Sequence, residues 1–207
     1  MSRPLLITDC DEVLLHMVRH FGAWLDEAHG IEFRPEGGAF AEALTRRHDG
    51  MLVPEQEVWP LLDSFFASEM PRQTLAPGAG EALRRIGEVA DIVILTNLKD
   101  WCHAGRSEQL ATHGIRHRIV CNQGGKGEPV ARLAAEHRSS VTVFVDDLEE
   151  HHASVADHAP DVFRLHMIAE PAIASTIPPA PHAHARIDRW DDAVEWVLAR
   201  FRGEPLP

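Results

Sequence analysis

No stretch of this sequence approaches the roughly 18 consecutive apolar residues that a membrane span requires, so no membrane partner is expected. Nor does the N-terminus carry the apolar run of about 7–15 residues that marks a secretory signal, because the short run after Met1-Ser-Arg-Pro meets charge at Asp9. Positive charge is scarce. Against 32 Asp and Glu stand 20 Lys and Arg, a formal net charge of -12, which leaves no broad basic surface for nucleic acid or an anionic bilayer. Cysteine is sparse and odd in number: Cys10, Cys102 and Cys121 lack C-x-x-C spacing and cannot all pair within the chain, so a reducing cytoplasm is the expected setting. The histidines are numerous, but His151-His152 and His182-Ala-His184 come without an H-E-x-x-H or Cys/His framework. They are expected as surface histidines rather than a zinc site. No internal repeat is present.

What is there suits a folded enzyme-sized chain. The 207 residues are 44% apolar and 25% charged, enough for one core domain with a modest insertion. Short apolar runs at Leu5 to Thr8, Asp91 to Thr96, Val141 to Val145 and, more weakly, Val162 to Met167 read as buried parallel strands, and Ile115 to Cys121 as a candidate fifth. Between them the amphipathic stretches Ala79 to Val89, Lys99 to His113, Glu128 to His137 and His151 to Ala156 predict helices. Strand and helix alternate, the pattern of an open α/β sheet. From Leu15 to Gln73 no strand is expected; three helices, Leu14 to His29, Gly38 to His48 and Pro54 to Glu69, would form an insertion. Pro77-Gly78 marks the return to the core, and after a stiff proline-rich connector at residues 176–181 a closing helix spans Trp190 to Phe201.

Ligands of open α/β sheets bind outside the carboxyl ends of the strands, so the residues directly after each apolar run matter most. These are Asp9-Cys-Asp11, Thr96-Asn97 and Asp146-Asp147. Carboxylates crowded at one edge repel one another unless a cation lies between them, and a hard divalent ion, magnesium above all, suits oxygen ligands. A carboxylate is ionised at neutral pH and attacks phosphorus without a base, and a second aspartate can protonate the leaving oxygen and later deprotonate water. Each of these groups taken singly is equally at home as a turn or helix-capping residue.

Four motifs in order resemble those of the haloacid dehalogenase-like hydrolases: Leu5-Leu-Ile-Thr-Asp9-Cys-Asp11, Ile92-Val-Ile-Leu-Thr96-Asn97, Lys126 in Gly124-Gly-Lys-Gly-Glu-Pro, and Val143-Phe-Val-Asp146-Asp147. The resemblance implies a doubly wound, mostly parallel α/β core over residues 1–14 and 74–207, with a helical cap over residues 15–73 inserted after the first strand. It implies Asp9 as nucleophile, Asp11 as acid and base, Thr96, Asn97 and Lys126 as phosphoryl-binding groups with Lys126 also neutralising the nucleophile, and Mg2+ held by Asp9, Asp146, Asp147 and the carbonyl of Asp11. Glu12 stands where many members have glycine, Val13 where many have threonine, and His151 where some carry a further aspartate.

Asp11 favours phosphoryl transfer over carbon–halogen cleavage, and the absence of lysine between Leu15 and Gln73 argues against a cap Schiff base. The expected function is a magnesium-dependent phosphatase of small phosphorylated metabolites. A sugar-phosphate mutase and a non-catalytic binding protein of the same fold are the alternatives. Local positive charge would come from the metal, Lys126 and helix N-termini; one ion pair at about 4 Å and an effective dielectric near 20 is worth roughly 4 kcal/mol, against which diffuse surface repulsion is weak. In the insertion Trp24, Trp59, Phe65 and Phe66 are expected to form the cap core, and Arg46, Arg47 and His48 a solvated face near the end of the second helix.

Overall fold

The computed structural model describes residues 2–35 and 40–206. The chain starts with β1 (Leu5–Thr8) and leaves the core through β2 (Leu15–His16). Next come α1 (Val18–His29), β3 (Ile31–Phe33), β4 (Leu44–Arg46) and α2 (Glu55–Ser68). The chain returns through β5 (Thr74–Leu75) to α3 (Ala79–Val89), β6 (Asp91–Thr96), α4 (His103–Thr112) and β7 (Arg118–Cys121). Then follow α5 (Gly127–His137), β8 (Thr142–Asp146), α6 (Glu149–His158) and β9 (Phe163–His166). The short α7 (Pro171–Ala174), β10 (Ala185–Arg186) and α8 (Trp190–Phe201) complete the chain.

The central sheet has the order β10-β9-β8-β1-β6-β7, and its pairings are parallel. Its middle strands are apolar on both faces because helices cover both. Along β1, β6 and β8 the side chains alternate: Leu6, Ile92, Ile94, Val143 and Val145 face the layer holding α3 and α8. Leu5, Ile7, Val93, Leu95 and Phe144 face the layer holding α5 and α6. From β1 the chain winds outward one way through β6 and β7, then returns to the other side for β8, β9 and β10. The switch lies between β1 and β8, where a crevice opens at the carboxyl ends.

The inserted segment departs from the three-helix expectation. Its first and third helices form, but Leu44 to Arg46 is a strand paired antiparallel with Ile31 to Phe33, preceded by one 3₁₀ turn at Phe40–Glu42. Gly38 and Ala39, where the middle helix was expected to start, lie outside the described residues. The pairing prevails because Leu44 can enter the cluster of Phe21, Trp24, Leu25, Ile31 and Phe65 from a strand, and tertiary burial outweighs weak local propensity. Trp24 and Phe65 are buried there, while Trp59 is exposed and stacks on Phe40 at 6.0 Å between ring centres. Arg46 pairs with Glu57, Arg47 with Asp26, and His48 lies beside Asp49. The chain leaves and re-enters the core across the small antiparallel ribbon of β2 and β5, with Leu15 opposite Leu75. Among the described residues no helix is long and apolar enough to cross a membrane.

Candidate active site

Asp9 follows β1 directly, and its amide donates to the Val145 carbonyl at 2.8 Å, which sets it level with Asp146 at the end of β8. Thr96 ends β6 on the other side of β1 and is buried. The switch-point crevice thus brings together residues about 90 and 140 positions apart, a consequence of parallel pairing alone.

Lys126 enters from the start of α5. Its ammonium group lies 2.8 Å from Asp9 Oδ1 and 2.7 Å from Asp146 Oδ2, with all three side chains buried. Only the contact to Asp146 is aligned as a hydrogen bond, so Asp9 Oδ1 is buried without an aligned donor. The glycine after the lysine explains how α5 reaches so far in. A Cβ at Gly127 would lie 2.1 Å from the Ser154 carbonyl oxygen of α6, so only glycine permits this close approach. The Gly127 amide donates to Ser154 Oγ at 2.9 Å, closing the contact.

Asp9, Asp146 and Asp147 offer oxygens that all lie within 4.8 Å of one another. Burial raises the pKa of Asp9 to about 7, with Asp146 and Asp11 adding to the rise and Lys126 opposing it. Burial, followed by the charges of Asp146 and Asp9, pushes Asp147 well above the carboxylate range. Asp146 is held low: burial works against its charge, but the ammonium group of Lys126 prevails by its charge and its hydrogen bond. One lysine therefore does not neutralise the cluster. A group of converging oxygen donors whose negative charge one lysine does not offset fits a hard divalent cation.

Asp11 sits apart from this cluster. Arg106 Nη2 donates to its Oδ1 at 2.8 Å and its Oδ2 at 2.9 Å, and Gln73 Nε2 donates to Oδ1 at 2.7 Å. Asn97 is engaged with the protein itself: its amide donates to the Gly124 carbonyl at 2.9 Å and lies 3.2 Å from His151 Nε2, and its oxygen accepts from Asn122. This braces the loop after β6 against the loop that delivers Lys126.

Glu12, at the position of a common glycine, adopts the left-handed backbone with φ 56°. Its Oε1 accepts from the amides of Met17 at 2.7 Å and Val18 at 2.6 Å, capping the start of α1. Burial raises its pKa to about 7. The paired histidines are not at the surface as expected: His151 and His152 are buried. His152 Nε2 meets the Asp146 carbonyl at 3.0 Å, and His166 Nε2 meets the Asp147 carbonyl at 2.9 Å. These two imidazoles hold the backbone behind the acidic pair. Burial lowers the pKa of His152 to about 4, so it serves as a neutral ring.

Sequence reasoning missed Arg106, Gln73 and the two histidine contacts. A signal for Arg106 existed: with Cys102 and Leu110 it occupies the apolar stripe of its helix, where a charge demands a partner.

A parallel sheet wound both ways, an acidic cluster and a buried lysine at its switch point, and a segment inserted behind the first strand together define the haloacid dehalogenase-like hydrolase fold, and this chain adopts it. No sequence-family model and no curated sequence matches the chain. Solved structures do. A protein of Lactobacillus plantarum assigned as a phosphoglycolate phosphatase aligns over 94% of this chain and 99% of its own, with TM-score 0.63 and 16% identity. A Thermotoga maritima protein assigned as a beta-phosphoglucomutase aligns over 97% and 99%, with TM-score 0.60 and 12% identity. A 2-haloacid dehalogenase of Pseudomonas syringae aligns over 97% and 100%, with TM-score 0.55 and 15% identity. Three reactions share this architecture, so the choice among them belongs to the side chains of the site.

Proposed function

We propose that this protein is a magnesium-dependent phosphatase of small phosphomonoesters, acting through an aspartyl-phosphate on Asp9. The observation that carries the reading is the buried bridge of Lys126 between Asp9 and Asp146, set in a carboxylate cluster at the crevice. Asp9, Asp146 and Asp147, with the Asp11 carbonyl, would hold the metal, which supplies charge neutralisation for an anionic substrate. The Asp9 carboxylate attacks phosphorus, and the bond from phosphorus to the alcohol oxygen breaks as Asp11 delivers a proton to that oxygen. Asp11 then takes a proton from water, which attacks the acyl phosphate, releasing phosphate and restoring Asp9. Lys126 offsets the charge gathered on Asp9 and the phosphoryl group, and the Thr96 hydroxyl donates a hydrogen bond to a phosphoryl oxygen. The inserted segment over residues 15–73 acts as a lid that excludes water.

The presence of Asp11 favours phosphoryl transfer, since displacement of halide needs no proton at the leaving group. The test is phosphate release from a panel of phosphomonoesters with and without Mg2+, beside Asp9→Asn protein. Release that requires the metal and is lost in the variant is expected; activity surviving in Asp9→Asn refutes Asp9 as nucleophile.

A further inference from the structure

We propose that Arg106 is a positioning residue for Asp11, fixing the one lone pair through which Asp11 exchanges a proton with the substrate. This rests on the phosphatase reading above. Arg106 rises from α4, is fully buried, and lies against the face of Phe66 at 5.6 Å. Its Nη2 reaches both oxygens of Asp11, and its Nη1 donates to Gln73 Oε1 at 3.1 Å and Gln109 Oε1 at 2.9 Å. Because the Gln73 oxygen faces Arg106, its Nε2 must face Asp11, and it does so at 2.7 Å. Gln109 is oriented in turn by donating to the Met70 carbonyl.

The consequence is geometric. A carboxylate offers about four acceptor positions; two on Oδ1 and one on Oδ2 are occupied here. What remains is one position on Oδ2, on a side chain that keeps 16% of its surface exposed. Rotation of Asp11 would break its hydrogen bonds to Arg106 and Gln73 and strand a buried guanidinium, which is strongly unfavourable. The network also ties Asp11 to the end of the inserted segment, since Met70 and Gln73 lie just before the chain re-enters the core through β5.

The experiment is a double-mutant cycle with p-nitrophenyl phosphate and Mg2+, comparing wild type, Arg106→Met, Asp11→Asn and the double variant. Acting through Asp11, Arg106→Met lowers kcat by about 100-fold with KM changed less than about 3-fold, and adds no further loss in the Asp11→Asn background. Arg106→Lys, which keeps the cation but not the flat two-pronged donor, recovers part of the rate. If Arg106→Met does not fold, the Lys variant carries the same cycle. Equal losses in both backgrounds, or a rise in kcat on removing Arg106, overturn the proposal while the phosphatase reading stands. A wild type inert on every phosphomonoester, or an active Asp9→Asn, overturns that reading and this inference with it.

Discussion

At the scale of single residues the site is shaped by charges placed where water is scarce. Glu12 shows how a departure from a common glycine is absorbed. The left-handed backbone costs a non-glycine residue roughly 1–2 kcal/mol, and accepting from the Met17 and Val18 amides at the start of α1 returns about as much. Its raised pKa makes the charge a liability. Folded and unfolded values of about 7 and 4.5 mean that stability is present below pH 4.5 and is lost as pH rises through 7. Glu12→Gln keeps the accepting oxygen without the charge. Its unfolding free energy relative to wild type should therefore climb by roughly 3 kcal/mol between pH 4.5 and 8, measured by urea titration at each pH. A difference that stays flat with pH would show that Glu12 keeps its charge at ordinary cost.

At the scale of elements, the contact of α5 with α6 sets the reach of Lys126. Gly127→Ala places a methyl group where a carbonyl oxygen already lies, so the helices must separate. Overpacking of this kind costs about 1–3 kcal/mol. Because α5 carries Lys126 away from Asp9 as it shifts, the proposed phosphatase activity should fall further than stability accounts for. Urea unfolding beside kcat at saturating substrate separates the two; a variant as active as wild type would place the control of Lys126 elsewhere.

For the whole molecule, the fold gathers carboxylates that cannot all ionise alone. Burial and mutual repulsion raise Asp9 and Asp147, so an added divalent cation should stabilise the folded chain through binding. At 100 times its dissociation constant that amounts to about 2.7 kcal/mol. Thermal unfolding should shift upward with Mg2+ in wild type and by much less in Asp147→Asn, a readout independent of turnover. An equal shift in both proteins would remove Asp147 from the metal set.

The alternation of apolar strands and amphipathic helices was legible from the sequence, because a strand buried on both faces has to be apolar throughout. Three of the candidate positions could be picked out in the same way: Asp9, Thr96 and Asp146 lie where an apolar segment gives way to polarity, whereas Lys126, in a glycine-rich loop, could not. What only the tertiary structure decided are contacts between positions with no local relation. Arg106 meets Asp11 across 95 residues and His166 meets the Asp147 carbonyl across 19. The strand pair in the cap arises in the same way, because Leu44 is buried only against Ile31 and its neighbours. Local pattern reports which face of an element is apolar; which buried charge finds which partner depends on how the layers stack.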